Sequence, residues 1–172
     1  LTGFEVPLNV ATYSLQLARS KGLKTILNPA PYFKICKDSY KLVDFLTPNE
    51  HEASSISGIN VVDIDTAREA GKKLCELGVG VSVITLGEKG VLCTRGTKDH
   101  EGIYLPALEL KEKVIDTVGA GDVFNGAFAT GISEGMTLEE TLDFANKAAS
   151  ISVRRQGAAL SAPYRDEVNN LY

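Results

Sequence analysis

Between Leu8 and Leu86 the chain alternates apolar runs too short for helices with amphipathic segments too long for strands. This alternation limits the fold more than any other feature. Residues 8–20 (LNVATYSLQLARS) place Leu8, Ala11, Leu15 and Ala18 on one helical face, and Gly22 stands where helices commonly end. Residues 24–28 (KTILN) predict a short buried strand, broken by Pro29-Ala30-Pro31. A short helix near 34–42, a strand at 43–47 (VDFLT) and a helix from about 49 to 57, stopped by Gly58, follow. Thr66 and Glu69 read as a capping pair for a helix over 66–77, and 81–86 (VSVITL) is the next strand. Strand, helix and strand at this spacing imply right-handed βαβ units and a parallel sheet, hence an α/β fold.

The pattern then changes. Residues 90–95 and 102–106 are short strands around a polar loop, 96–101, and predict an antiparallel, hairpin-like edge. Two helices are expected at about 120–134 and 138–154, the second capped by Thr137 and Glu140, with a short helix in the tail 163–172. With 44% hydrophobic and 23% charged residues, the chain has the make-up of a folded globular protein.

Composition also excludes functions. The charge sum is 18 − 22 = −4 with no basic run, which argues against nucleic acid as a partner. No apolar run reaches the ~20 residues of a membrane span. Cys36, Cys75 and Cys93 are odd in number and far apart, so a disulfide framework is not expected and a reducing, cytoplasmic setting fits. His51 and His100 have no partner at metal-binding spacing, and no G-x-x-x-x-G-K-[ST] loop occurs.

The segment Asp116-Thr117-Val118-Gly119-Ala120-Gly121-Asp122 carries the strongest chemical signal. Gly119, Ala120 and Gly121 directly precede an apolar helical run, so their amides are expected to point outward at a helix N-terminus. That is an anion site suited to phosphoryl charge. Asp122 stands in the same turn, where a carboxylate can accept a proton from an attacking hydroxyl. A plain helix-capping role for Asp122 is the alternative.

DTVGAGD followed by FNGAF resembles the ribokinase family of carbohydrate kinases. Four further stretches resemble that family in the right order: Asn28-Pro29-Ala30-Pro31, Thr47-Pro48-Asn49-Glu50-His51-Glu52-Ala53, Thr85-Leu86-Gly87-Glu88-Lys89-Gly90, and Arg155-Gln156-Gly157-Ala158 with Ser161. The resemblance spans essentially the whole chain. It implies a three-layer α/β/α fold with a mostly parallel sheet. It also implies ATP-dependent phosphorylation of a sugar primary hydroxyl, D-ribose to D-ribose 5-phosphate, with fructose, ketodeoxygluconate or a nucleoside as alternative acceptors. An inactive nucleotide-binding fragment is the reading from a different class.

By resemblance, Asp122 is the general base, Gly119, Ala120 and Gly121 form the anion hole, and Glu5 binds sugar. Asn49, Thr85, Gly87, Gly90, Gly121 and Asn146 are expected at ATP, and Glu52 near Mg²⁺. Asp116, Val118, Ser152, Arg155, Gly157 and Ser161 match the family's K⁺ loop, largely through backbone carbonyls. Because Met136 is the only methionine and the chain opens at Leu1, residues 1–172 are expected to be a fragment of something longer, and the resemblance implies the C-terminal part of one kinase domain. The resemblance places sheet strands, sugar contacts and a β lid, which also forms a homodimer contact, in a preceding portion.

Overall fold

The computed structural model describes residues 1–96, 102–108 and 113–171. His100 and most of the predicted 96–101 loop lie outside them. In chain order the elements are α1 (Leu8–Ser20), β1 (Ile26–Leu27), α2 (Lys37–Tyr40), β2 (Phe45–Leu46), α3 (Glu50–Ser57), α4 (Ile64–Glu76), β3 (Val81–Thr85), β4 (Val91–Arg95), β5 (Ile103–Leu105), α5 (Ala120–Glu134), α6 (Leu138–Ser152) and α7 (Arg165–Asn169). They form two compact units, 1–87 with 92–104, and 88–91 with 105–172.

One mixed sheet runs in the order β1-β2-β3-β4-β5. β1, β2 and β3 pair in parallel, with Ile26 beside Phe45 and Phe45 beside Val81. Residues 86–90 and 96–102 are connections far shorter than a parallel crossover needs, so β4 and β5 run antiparallel to their predecessors. The parallel run and the antiparallel edge both follow the sequence pattern.

Two predicted strands are shorter than expected: 24–28 reduces to Ile26–Leu27, and 43–47 to Phe45–Leu46. Their ladder bonds nevertheless extend further, from Phe45 N–H to Thr25 O (3.0 Å), Thr47 N–H to Leu27 O (3.0 Å) and Val81 N–H to Asp44 O (2.8 Å). Pro29 has no N–H with which to continue the β1 ladder. On the outer side of β1, Thr2 donates to Ile26 O and accepts from Asn28 N–H, which adds a parallel bridge.

The predicted start of the α4 helix needs correction. Its cap is Asp63, not Thr66: Asp63 Oδ1 accepts from the Thr66 amide at 2.8 Å, and Thr66 Oγ1 accepts from the Asp63 amide at 3.1 Å. Thr66 is therefore the third helical residue and answers Asp63, rather than pairing with Glu69. The caps at Asn49–Glu52 and Thr137–Glu140 are reciprocal, as the sequence predicts.

Leu15, Leu27, Leu46, Leu74, Ile84 and Leu92 anchor the core of the first unit. Ala11 and Leu15 are the buried face of α1, in agreement with its periodicity. In the second unit Ala148, Ile151 and Val168 bring α6 and α7 together, and the Phe124 and Phe128 rings stack at 6.1 Å. Cys36 is exposed, Cys75 and Cys93 are buried, and none of the three is in a disulfide. Among the described residues, no helix is long and apolar enough to cross a membrane.

Candidate active site

In the first unit, the candidate residues gather at the carboxyl ends of the parallel strands, where open α/β sheets place ligands. Phe4 N–H bonds Ala30 O at 2.9 Å, which sets Glu5 beside the Asn28–Pro31 stretch after β1. Pro48-Asn49-Glu50 follows β2. Thr85 N–H bonds Pro48 O at 3.0 Å, and Asn49 bridges Thr85, so the start of α3 is fastened to the end of β3. Gly87 comes next, in a short turn of 3₁₀ helix. The structure thus brings Asn49 and Thr85 together, as their shared expected role requires.

Glu52 does more than cap. Its Oε2 accepts from the Asn49 amide at 2.9 Å, while Asn49 Oδ1 accepts from the Glu52 amide at 2.9 Å. The side chain is buried. Burial pushes its carboxyl above the ordinary value of 4.5; the Asn49 amide and His51 pull it down, and the Glu5 carboxylate pushes it up. Glu52 and Glu5 are therefore electrostatic neighbours. A carboxylate penalised in this way is the kind of group that a nearby divalent cation stabilises. Among the described residues no cluster of three or more His, Cys, Asp or Glu could hold a metal by itself.

A pH signature follows. The folded state holds the Glu52 proton more tightly than the unfolded chain, so stability falls as pH rises from about 4.5 through the raised folded value. Glu52→Gln keeps an acceptor for the Asn49 amide and removes the charge. Its melting temperature is expected to exceed wild type at pH 7 and to match it at pH 4. A shift of equal size at both pH values would contradict the burial argument.

In the second unit, Gly119 is the left-handed cap of α5, at φ +79°. The sequence predicts three outward amides, and the structure corrects one of them. Ala120 N–H closes a turn onto Thr117 O at 3.2 Å, and Val123 N–H bonds Gly119 O at 2.9 Å. Among the described residues, the amides of Gly119, Gly121 and Asp122 have no acceptor. A Cβ at Gly121 would meet nothing within 4 Å outside its own turn of helix, so the side-chain position there is open. Asp122 is exposed in the first turn and lines a groove of about 430 Å³ with Val123, Gly126 and Ala127. Asn125, not singled out from the sequence except within FNGAF, is buried and donates to Gly121 O at 2.9 Å, which steadies the turn.

Asp116 links both halves of the expected K⁺ loop. Its Oδ1 accepts from Val118 N–H at 2.9 Å and its Oδ2 from Gly157 N–H at 3.0 Å. These amides hold its carboxyl below the ordinary carboxylate range. Among the described residues, no donor pairs with the carbonyl oxygens of Asp116, Val118, Arg155 or Gly157. Ser152 and Ser161 are buried and spend their hydroxyl protons on Ala149 O and Ala158 O, both at 2.7 Å. Neutral and acidic oxygens left in this way suit a monovalent cation. The Arg155 side chain turns to Glu167 instead.

Two expected nucleotide residues also have structural duties. Asn146 is nearly buried and donates to Pro106 O at 2.9 Å. A Cβ at Gly90 would come within 2.1 Å of Leu105 O and 2.5 Å of Ala107 N. Both residues therefore hold the 105–107 backbone in place. His51 is exposed on α3.

With this geometry in hand, the chain can be set beside known proteins. The family model described as pfkB family carbohydrate kinase matches residues 5–165. A ribokinase of Haemophilus influenzae is 37% identical over 97% of this chain and 53% of its own length. The crystal structure of a Thermotoga maritima ribokinase superposes with a TM-score of 0.83 at 37% identity, covering 97% of this chain and 54% of that one. The structure of an Arabidopsis thaliana ribokinase complexed with ribose and ATP gives 0.89 at 31% identity, covering 97% and 53%. The chain spans about half the length of the curated relatives it matches. Its fold is that of the ribokinases, and the chain belongs to the pfkB family of carbohydrate kinases.

Proposed function

We propose that residues 1–172 are the C-terminal part of one ribokinase-like kinase domain that transfers phosphate from ATP to a sugar primary hydroxyl, D-ribose being the acceptor. The observation that carries this reading is the start of α5, where unpartnered amides of Gly121 and Asp122 adjoin an exposed carboxylate. The family membership and the relatives named as ribokinases support it.

In this mechanism Asp122 takes the proton of the sugar hydroxyl as its oxygen bonds the γ-phosphorus and the bond to the ADP oxygen breaks. The amides of Gly119, Gly121 and Asp122 meet the charge on the transferring group, with the N-terminal dipole of α5 behind them. By resemblance, Asn49, Thr85, Gly87, Gly90, Gly121 and Asn146 are each assigned to ATP, and Glu5 to sugar. Glu52, together with the ATP phosphates, would hold Mg²⁺, which would neutralise phosphate charge. The loop of Asp116, Val118, Ser152, Arg155, Gly157 and Ser161 would hold K⁺, which would add positive charge near the transferring group.

The test is sugar-dependent ADP release, with ribose, fructose and adenosine as acceptors. Two proteins are compared: the 172-residue chain, and a chimaera in which it replaces the matched part of the Haemophilus influenzae ribokinase. The chimaera is expected to turn over ribose fastest. The chain alone is expected to bind ATP weakly and leave sugar unphosphorylated, because Glu5 and Asp122 cannot orient a sugar unaided. A soluble, folded chimaera that is inactive on every acceptor would overturn the kinase reading. Robust turnover by the chain alone would overturn the need for a complementing half.

A further inference from the structure

Residues 153–158 are pinned to the turn before α5 at several points. Val153 O accepts from the Ile115 and Asp116 amides at 2.8 and 3.2 Å. Gly157 N–H reaches Asp116 Oδ2 at 3.0 Å. Ala158 packs so closely that a Cβ on Gly119 would come within 2.9 Å of its Cα. These contacts set both the oxygens of the expected cation loop and the left-handed residue that starts α5.

Near the middle of this segment is Arg155, and its guanidinium leaves the loop to meet α7. Nη2 pairs with Glu167 Oε1, and Nη1 lies 3.4 Å from Glu167 Oε2. That same Oε2 accepts from Tyr164 N–H at 2.7 Å, so Glu167 is itself held by the entry to α7. Val168, the next residue, is buried in the core of this unit. The carboxylate is thus a fixed post, and the arginine on the loop is tied to it.

We propose that Glu167 is a positioning residue: through Arg155 it holds the 153–158 loop against the Asp116–Gly119 turn, and so sets the cation loop and the anion-binding start of α5. Its catalytic meaning rests on the function proposed above; the brace itself does not. Both side chains are partly exposed, at 34% and 40%, and such pairs add little to global stability. Removing the pair therefore loosens the loop without melting the unit.

The experiment uses the 172-residue chain. Amide exchange at Gly157 and Val118 reads the brace directly. A titration of their NMR shifts, with KCl replacing tetramethylammonium chloride, reads cation binding. Glu167→Gln keeps an acceptor for Tyr164 N–H and is expected to speed Gly157 exchange about two- to fivefold and to weaken potassium binding similarly. Arg155→Gln should do the same, and Arg155→Lys should fall between. Arg165→Gln, which breaks the other ion pair of α7, to Glu134 at 2.5 Å, should change neither reading. If either variant at the pair proves too unstable to measure, the other carries the test.

Wild-type Gly157 exchange and potassium midpoint in both Glu167→Gln and Arg155→Gln overturn the proposal. So does faster exchange shared evenly by amides throughout α5 and α6, because Glu167 then only adds stability. A wild-type chain blind to potassium, with Gly157 exchange still faster in Glu167→Gln, upholds the brace and removes the cation from the proposed function.

Discussion

Asp122→Asn in the chimaera is expected to lower sugar-dependent ADP release by about 10²–10⁴-fold, the usual contribution of a general base. Asn matches Asp in size, and the side chain is exposed in the first turn of α5, so the fold has little reason to change. The amide cannot take a proton from the sugar hydroxyl. In the proposed mechanism the Asp122 carboxylate acts on the sugar hydroxyl and not on ATP, so the ATP binding constant should move little. Steady-state kinetics with varied ATP, together with nucleotide titration, separate these effects. Turnover near wild type would remove Asp122 as the general base and leave it an acidic residue of the first turn of α5.

The two glycines beside Asp122 should behave oppositely. Gly119 adopts φ +79°, and a Cβ there would come within 2.9 Å of both Ala158 Cα and Ala158 Cβ. Gly119→Ala is therefore expected to destabilise the unit by about 1–3 kcal/mol, from backbone strain and the forced movement of Ala158. Gly121 has neither constraint: its φ is not left-handed and nothing stands within 4 Å of its Cβ position. Gly121→Ala should leave the melting temperature unchanged or raise it, since alanine favours helix by up to about 1 kcal/mol. Yet the new methyl stands on the turn that presents the unpartnered amides, so in the proposed mechanism phosphoryl transfer should fall. Thermal melts and ADP release on both variants check the contrast. A Gly121→Ala protein with full activity would remove the anion hole from this turn, and a Gly119→Ala protein as stable as wild type would show the left-handed cap to be dispensable.

Much of this architecture is legible in the order of residues along the chain. The apolar runs around Ile26, Phe45 and Val83 lie between amphipathic helices, and only a parallel arrangement satisfies such an order. Asn49 and Glu52 at i and i+3 form the reciprocal cap their types predict, and Gly58 takes the left-handed place after α3. The Thr66 cap was misplaced because Asp63 is an equally good capping residue three positions earlier. The residue spacing alone does not decide between the two, whereas the amide geometry does.

The glycine turn shows the same division at the candidate site. Gly119-Ala120-Gly121-Asp122 before an apolar run identifies an anion-binding helix start from residue types alone. It does not reveal that Ala120 spends its amide on Thr117, because that depends on the backbone angle Gly119 adopts. Likewise, Asn146 and Gly90 match nucleotide positions by order in the chain. Their grip on the 105–107 backbone joins residues 15 to 40 positions apart, and no local pattern encodes such a contact.

The sequence by itself therefore determined the elements, their parallel order, the caps at Asn49 and Thr137, and the family, because these follow from short-range periodicity and motif spacing. Tertiary structure alone decided which donors and carboxylates are spent and which remain. Glu52 is buried beside Glu5, Asp116 is claimed by the Val118 and Gly157 amides, and Arg155 is drawn to Glu167. The physical reason is that desolvation and hydrogen-bond pairing depend on what surrounds a group in space. Those surroundings are contributed by residues far apart along the chain.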